Sequence, residues 1–193
     1  MRHADGTVVV NRRFPDMKGL ADYVHAKGLK IGLYSSPGPL TCGRCTGSWG
    51  FEEIDARTYA DWGYDYLKYD WCSYGKTKQL KIQMMPYLQM GRELAKQNRD
   101  IVYSLCQYGM GNVSTWGASV GGQCWRTTGD IRDFWCDVLS ISGRQDGLEH
   151  FCGPGRWNDP DMLVVGWVGW GPQLHPTRLT PNEQYTHMTL WSL

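Results

Sequence analysis

The stretch YLKYDWC, Tyr66 to Cys72, sets a lysine and an aspartate two residues apart inside an otherwise aromatic and aliphatic run. Side chains alternate along an extended chain, so Tyr66, Lys68, Asp70 and Cys72 share one face and Leu67, Tyr69 and Trp71 the other. With the second set packed on helices, Lys68 and Asp70 point together to the open side, where the ammonium favours the ionised carboxylate. A structural ion pair would use the same two residues. WRTTGDIRDFW adds Arg126, closing a short apolar segment, and Asp130 in a turn beyond it, a position that also suits a helix cap. GRWNDPDMLVVG adds Asp159 and Asp161 around Pro160, which an Asn-Asp-Pro turn would explain by itself. Three segment ends thus each offer a carboxylate, two of them beside a cation. A pair of carboxylates flanking a glycosidic bond is the apparatus of glycoside hydrolysis, one serving as nucleophile or base and the other as acid. The 10 Trp and 11 Tyr supply faces that suit sugars, and equally suit a packed core.

The elements that must position these groups alternate along the chain. Asp16 is a helix N-cap, with Met17, Leu20, Ala21 and Val24 at helical spacing and Gly28 as the stop. LKIGLYS then reads as a strand. A second helix runs from about Glu52 to Trp62 before YDYLKYD, and a third carries Tyr87, Met90, Leu94 and Ala95 before IVYSLC, with Pro86 near its start. The polar residues closing successive strands fall near Tyr34, Asp70, Cys106, Arg126 and Asp161, at intervals of 36, 36, 20 and 35 residues. Such spacing predicts parallel strands joined by crossover helices. An open doubly wound sheet and a (β/α)8 barrel share that rhythm. Neither G-x-G-x-x-G nor a P-loop occurs, since Gly75-Lys76-Thr77 has Asp70 where the P-loop glycine belongs. Polar residues at consecutive strand ends favour the barrel, an α/β fold. Thr180-Pro181-Asn182-Glu183 is a capping box opening a last helix, which runs to Leu193 without a C-cap. About five strands are expected, where a closed barrel needs eight.

Composition excludes several classes of partner. The 193 residues are 41% apolar and 20% charged, with a formal charge of +1 and no block of like charges for a nucleic acid or lipid surface. Val8-Val9-Val10 is far too short for a signal or membrane segment. The seven cysteines are an odd number and leave the redox compartment open. Cys42-Gly-Arg-Cys45 has metal-ligand spacing but no second ligand pair nearby, so no metal is expected.

Long segments resemble the melibiase-type α-galactosidases of glycoside hydrolase family 27: GLKIGLYS, SSPGPLTCG, GSWGFEEIDARTYADWGYDYLKYDWC, IVYSLCQYG, WRTTGDI and GPGRWNDPDMLVVG. The match runs in order from about Phe14 to Leu193. It implies a retaining hydrolase of terminal α-D-galactosides, with Asp70 as nucleophile, Asp130 as general acid/base and no cofactor. The substrate-binding residues it implies are Tyr34, Cys42, Lys68, Gln107, Arg126 and Asp161, with Cys42 and Cys72 joined in a disulfide beside the pocket. Its partners would be small-molecule or oligosaccharide α-galactosides, with no nucleic acid and no membrane, and a homo-oligomer is left open.

The chain departs from the family pattern in two ways. Where the family often reads Cys-Glu-Trp, this chain has Cys106-Gln107-Tyr108, which removes a formal charge near C2 of the sugar. Neither Gln107 nor Tyr108 is small, so galactose is expected over N-acetylgalactosamine. The family's first two strands, last strand and C-terminal β-sandwich have no counterpart, so residues 1–193 are expected to be part of the catalytic barrel, about strands 3 to 7 of it. The longer parent is expected outside the cell or in the periplasm.

Overall fold

A computed structural model describes residues 1–75, 77–169 and 171–193, so Lys76 of the P-loop comparison lies outside the described residues. Five strands, β1 (Gly32–Ser35), β2 (Tyr66–Asp70), β3 (Val102–Cys106), β4 (Cys124–Arg126) and β5 (Trp157–Asp159), form one parallel sheet in the order 1-2-3-4-5. Helices α1 (Met17–His25), α2 (Glu52–Asp61), α3 (Leu80–Ala95), α4 (Trp135–Gly143) and α5 (Pro181–Trp191) flank them, except that β3 and β4 are joined by two short 3-10 turns, Val113–Thr115 and Gly117–Val120. Consecutive parallel neighbours joined by helices are the repeating unit of a (β/α) barrel, here as an open sheet with β1 and β5 at its edges.

The core explains most of the aromatic residues. Leu67 and Tyr69 of β2, Tyr103 and Leu105 of β3 and Trp125 of β4 are buried against Tyr59 of α2 and Tyr87, Met90 and Leu94 of α3. Tyr69 meets Tyr87 edge-on at 5.9 Å between centroids and 82° between planes. Each such side chain contributes about 1.5–3 kcal/mol on leaving water. Gly91 lets α3 press on the short helical turn at Gly117–Val120, where a Cβ would strike the Val120 carbonyl. A second cluster, Ile131, Val138, Ile141, Val164 and Leu179, seats α4 and α5 beyond β5.

Three expectations are corrected. Pro86 stands seventh in α3 rather than near its start, so the Ile82 carbonyl loses its helical N–H partner, and packing of the buried Tyr87 and Met90 holds the turn. The helix opened by the Thr180–Glu183 capping box closes at Trp191 with Ser192 as its C-cap, bonded to the Thr189 carbonyl. A two-stranded antiparallel hairpin, β6 (Trp167–Val168) with β7 (His175–Pro176), follows β5, where the sequence pattern showed no strands. Among the described residues, no helix is long and apolar enough to cross a membrane.

The N-terminal ends of the strands are held by charge. Asp65, just before β2, takes hydrogen bonds from His25 Nε2 at 2.8 Å, the Ile31 N–H at 3.0 Å and Arg99 Nη2 at 2.7 Å, tying α1, β1 and the approach to β3 together. Burial alone would raise the Asp65 carboxyl, but the bonds from His25, Ile31 and Arg99 outweigh it and hold the group well below the usual carboxylate range. A carboxylate depressed in the fold stabilises above its unfolded value, about pH 4, and that stability is lost as pH falls below it. Asp65→Asn is therefore expected to cost about 3 kcal/mol at pH 7, and much less at pH 3. Urea-unfolding midpoints of both proteins at the two pH values check it; an equal loss at both would refute the ionic role.

Candidate active site

The opposite, C-terminal ends of the strands gather the chemistry-bearing residues. Parallel pairing sets Tyr34 beside Lys68 and Lys68 beside Ser104, then Asp70 beside Cys106 one pleat further on. Arg126 stands beside Asp159 in the same way. Leu67 and Tyr69 turn to the helices, as the alternation required, which leaves Lys68 and Asp70 on the face away from them.

Asp70, 6% exposed, is enclosed by donors. Tyr34 Oη donates to Oδ2 at 2.8 Å, while Tyr108 Oη and the Trp71 N–H both donate to Oδ1 at 2.7 Å. Burial, then the hydrogen bond to Asp70, pushes both phenols well above the ordinary tyrosine range, so both remain donors. Burial, then the Asp70 charge, pushes the Cys106 thiol up to about 12, so it too stays protonated. Among the described residues Lys68 forms no ion pair with Asp70, which sets the structural-pair reading aside.

The second carboxylate pair is organised by one cation. Arg126 is 1% exposed, and its Nη2 lies 3.1 Å from Asp130 Oδ1, 3.0 Å from Asp161 Oδ2 and 3.2 Å from the Thr128 carbonyl. Its Nη1 donates to Cys106 Sγ at 3.7 Å. The two carboxylates differ in access: the Asp130 side chain is 69% exposed and that of Asp161 4%. Asp130 caps no helix, since α4 begins after Phe134 without a side-chain cap. Asp161 lies two residues beyond the end of β5 at φ +83°, accepts the Ile131 N–H at 2.8 Å, and donates its own N–H to Asp159 Oδ1. The Asn-Asp-Pro turn is therefore real, with Asp159 making it and Asp161 facing Arg126. Burial raises the Asp159 carboxyl.

Gln107 is fully buried; its Oε1 accepts the Gly109 N–H at 3.3 Å and its Nε2 has no partner among the described residues. Cys42 and Cys72 form the expected disulfide, tying the loop after β1 to the end of β2, and Tyr34 Oη lies 3.3 Å from Cys72 Sγ. Cys42, Asp70 and Cys72 approach within 4.8 Å of one another, but two sulfurs joined to each other offer no thiolate to a metal. Tyr108 is the residue whose part the sequence hid: the Cys106-Gln107-Tyr108 segment marks a substitution, and its φ of +64° is visible only in the fold. The Arg126 guanidinium carbon sits 5.8 Å from the centre of the Tyr108 ring, so one contiguous set of contacts runs from Asp70 through Tyr108 and Arg126 to Asp130 and Asp161.

The family model described as Alpha galactosidase A matches residues 1–193. An alpha-galactosidase of Cyamopsis tetragonoloba is 44% identical over 196 residues, which take in 100% of this chain and 44% of the relative. An alpha-N-acetylgalactosaminidase of Gallus gallus is 39% identical over 213 residues, or 100% of this chain and 47% of the relative. The solved alpha-galactosidase of Saccharomyces cerevisiae with raffinose superposes at a TM-score of 0.86 and 32% identity, covering 98% of this chain and 45% of that one. A β-L-arabinopyranosidase of glycoside hydrolase family 27 from Geobacillus stearothermophilus superposes at 0.74 and 25% identity, covering 91% and 49%. The chain thus spans less than half the length of each of these four proteins. Matched from its first residue to its last, and built on consecutive parallel β/α units, the chain belongs to the alpha-galactosidase family of glycoside hydrolases, family 27.

Proposed function

We propose that the protein is a retaining, exo-acting glycosidase that removes terminal α-D-galactosyl residues from small or oligosaccharide galactosides. The observation that carries this reading is the contrast between the two carboxylates on either side of Arg126. Asp70 is enclosed and held by three donors, as a nucleophile that must attack one carbon needs to be, while Asp130 stands open, as a proton carrier meeting a leaving group and then water needs to be. Lys68, on the face and row of Tyr34, has its ammonium available for sugar hydroxyls. Tyr34 lies beside Asp70, and the Cys42–Cys72 disulfide lies beside Tyr34. Arg126 and Asp161 fix the wall on the Asp130 side. Gln107, expected to bind substrate, is instead sealed from solvent, and it supports the turn through its bond to the Gly109 N–H.

A second reading rests on the relatives named for N-acetylgalactosamine and arabinopyranose. The bulk of Gln107 and Tyr108 where an acetamide would sit favours the unsubstituted sugar, and comparison of the three p-nitrophenyl glycosides decides between them.

In the protein active on p-nitrophenyl α-galactoside, Asp70→Asn is expected to abolish turnover with the fold intact. Asp130→Asn is expected to lower kcat about 10²–10⁴-fold, the usual contribution of a general acid/base. The loss in kcat/KM, which reports the first step, should shrink for a 2,4-dinitrophenyl leaving group, which departs without a proton; equal losses in kcat/KM for both leaving groups would remove Asp130 from that role. Stability should divide the other way. Arg126→Met leaves the sealed Asp161 carboxylate unpaired and is expected to cost about 3–5 kcal/mol. Asp130→Asn, losing only an exposed partner, should cost less than about 1 kcal/mol. Urea unfolding of the two variants measures the difference.

A further inference from the structure

The two oxygens of Asp70 are not equivalent. Among the described residues Oδ1 holds two donors, the Tyr108 phenol and the Trp71 N–H, whereas Oδ2 holds only the Tyr34 phenol, which Cys72 Sγ also approaches. The Tyr108 bond comes from an unusual backbone. Tyr108 is left-handed at φ +64° and is followed by Gly109 at φ +80°, where any Cβ would strike the Thr127 carbonyl. A tyrosine in the left-handed region is costly unless the surroundings impose it, and such strain collects at functional positions. Here the Gly109 N–H is bonded to the Arg126 carbonyl, and the Tyr108 ring lies beside the Arg126 guanidinium, so the phenol is aimed at Oδ1 from a fixed mount. The Trp71 N–H belongs to the strand end and would be there whatever residue followed Gln107, whereas the Tyr108 donor depends on the side chain at that position.

We propose that Tyr108 is a positioning residue that makes Asp70 a good leaving group in the second half of the reaction. This rests on the retaining reading above. In the first step Asp70 Oδ2, the oxygen with fewer donors, forms its bond to the anomeric carbon. The bond to the leaving oxygen breaks, and that oxygen keeps the electron pair and takes the proton of Asp130. Oδ1 is then the carbonyl oxygen of an ester. In the second step Asp130 accepts a proton from water and the water oxygen bonds to the anomeric carbon. The bond to Oδ2 breaks, its electron pair returning to the carboxylate. A hydrogen bond to Oδ1 is stronger when Asp70 carries its charge than when it is an ester. Tyr108 therefore favours release of the carboxylate and opposes its attack.

Tyr108→Phe removes one oxygen atom and keeps the ring, so folding is not at stake. With 2,4-dinitrophenyl α-galactoside, whose first step is fast, the variant should lose kcat about tenfold or more, the value of a hydrogen bond to a charged group. KM should fall in parallel, leaving kcat/KM within about threefold of wild type. A covalent galactosyl adduct should accumulate, seen by intact-protein mass spectrometry of samples quenched during turnover. Unchanged kinetics, or kcat and kcat/KM falling together without an adduct, would overturn the proposal. The retaining reading is tested separately, by proton NMR of the sugar first released from wild type. An α product with no adduct in the variant sinks only the role of Tyr108, whereas a β product sinks the mechanism beneath it.

Discussion

A guanidinium with almost no access to water is the constraint around which this site is arranged. Arg126 ends β4, and the cost of enclosing its charge is met only because two carboxylates, a carbonyl and a thiol converge on it. That convergence dictates much else. Asp161 must leave β5 through a left-handed residue to reach it, and Ile131 must follow Asp130 closely enough to bond Asp161. Tyr108 must turn back over the cation. A lysine could not serve all these partners, because it lacks the planar fork of donors.

The two ends of the sheet divide the work as a barrel divides it. At the N-terminal end Asp65 collects His25, Lys30 and Arg99 and ties elements together without an opening toward a ligand. At the C-terminal end the same charge types are spread over loops, and one carboxylate is left in water. Composition does not distinguish the two sets; position along the strand does.

Much of this could be read from the chain. The alternation in YLKYDWC assigned Leu67 and Tyr69 to the core and Lys68 with Asp70 to the other face, because a pleat admits only two faces. Parallel crossover units followed from strand-end spacing, and α5 from its capping box. The pattern was blind to φ: the left-handed turns at Tyr108 and Asp161 carry no helical or strand period. It was blind as well to distance across the sheet, which decides that Tyr34 and Tyr108 reach Asp70 while Tyr69, Tyr87 and Tyr103 fill the core. The β6–β7 hairpin is two residues on each side, too short for any periodicity to register, and Pro86 sits mid-helix because burial of its neighbours outweighs a rule about backbone donors.

The indole of Trp191 donates to the carbonyl of Asp161 at 2.7 Å, and the two residues are thirty positions apart. This contact bears on the order in which the molecule assembles. The strand pairing from β1 to β4, and Asp70 with its phenols, are made by residues up to Arg126 and can form on a nascent chain while the rest is still being made, with the Trp125 indole meeting Asn158 later. The left-handed carboxylate that faces Arg126 is different, for its backbone is fastened by the last turn of α5. The Asp70 half of the site can thus be in place early, and the half around Arg126 and Asp161 is completed only when α5 has docked.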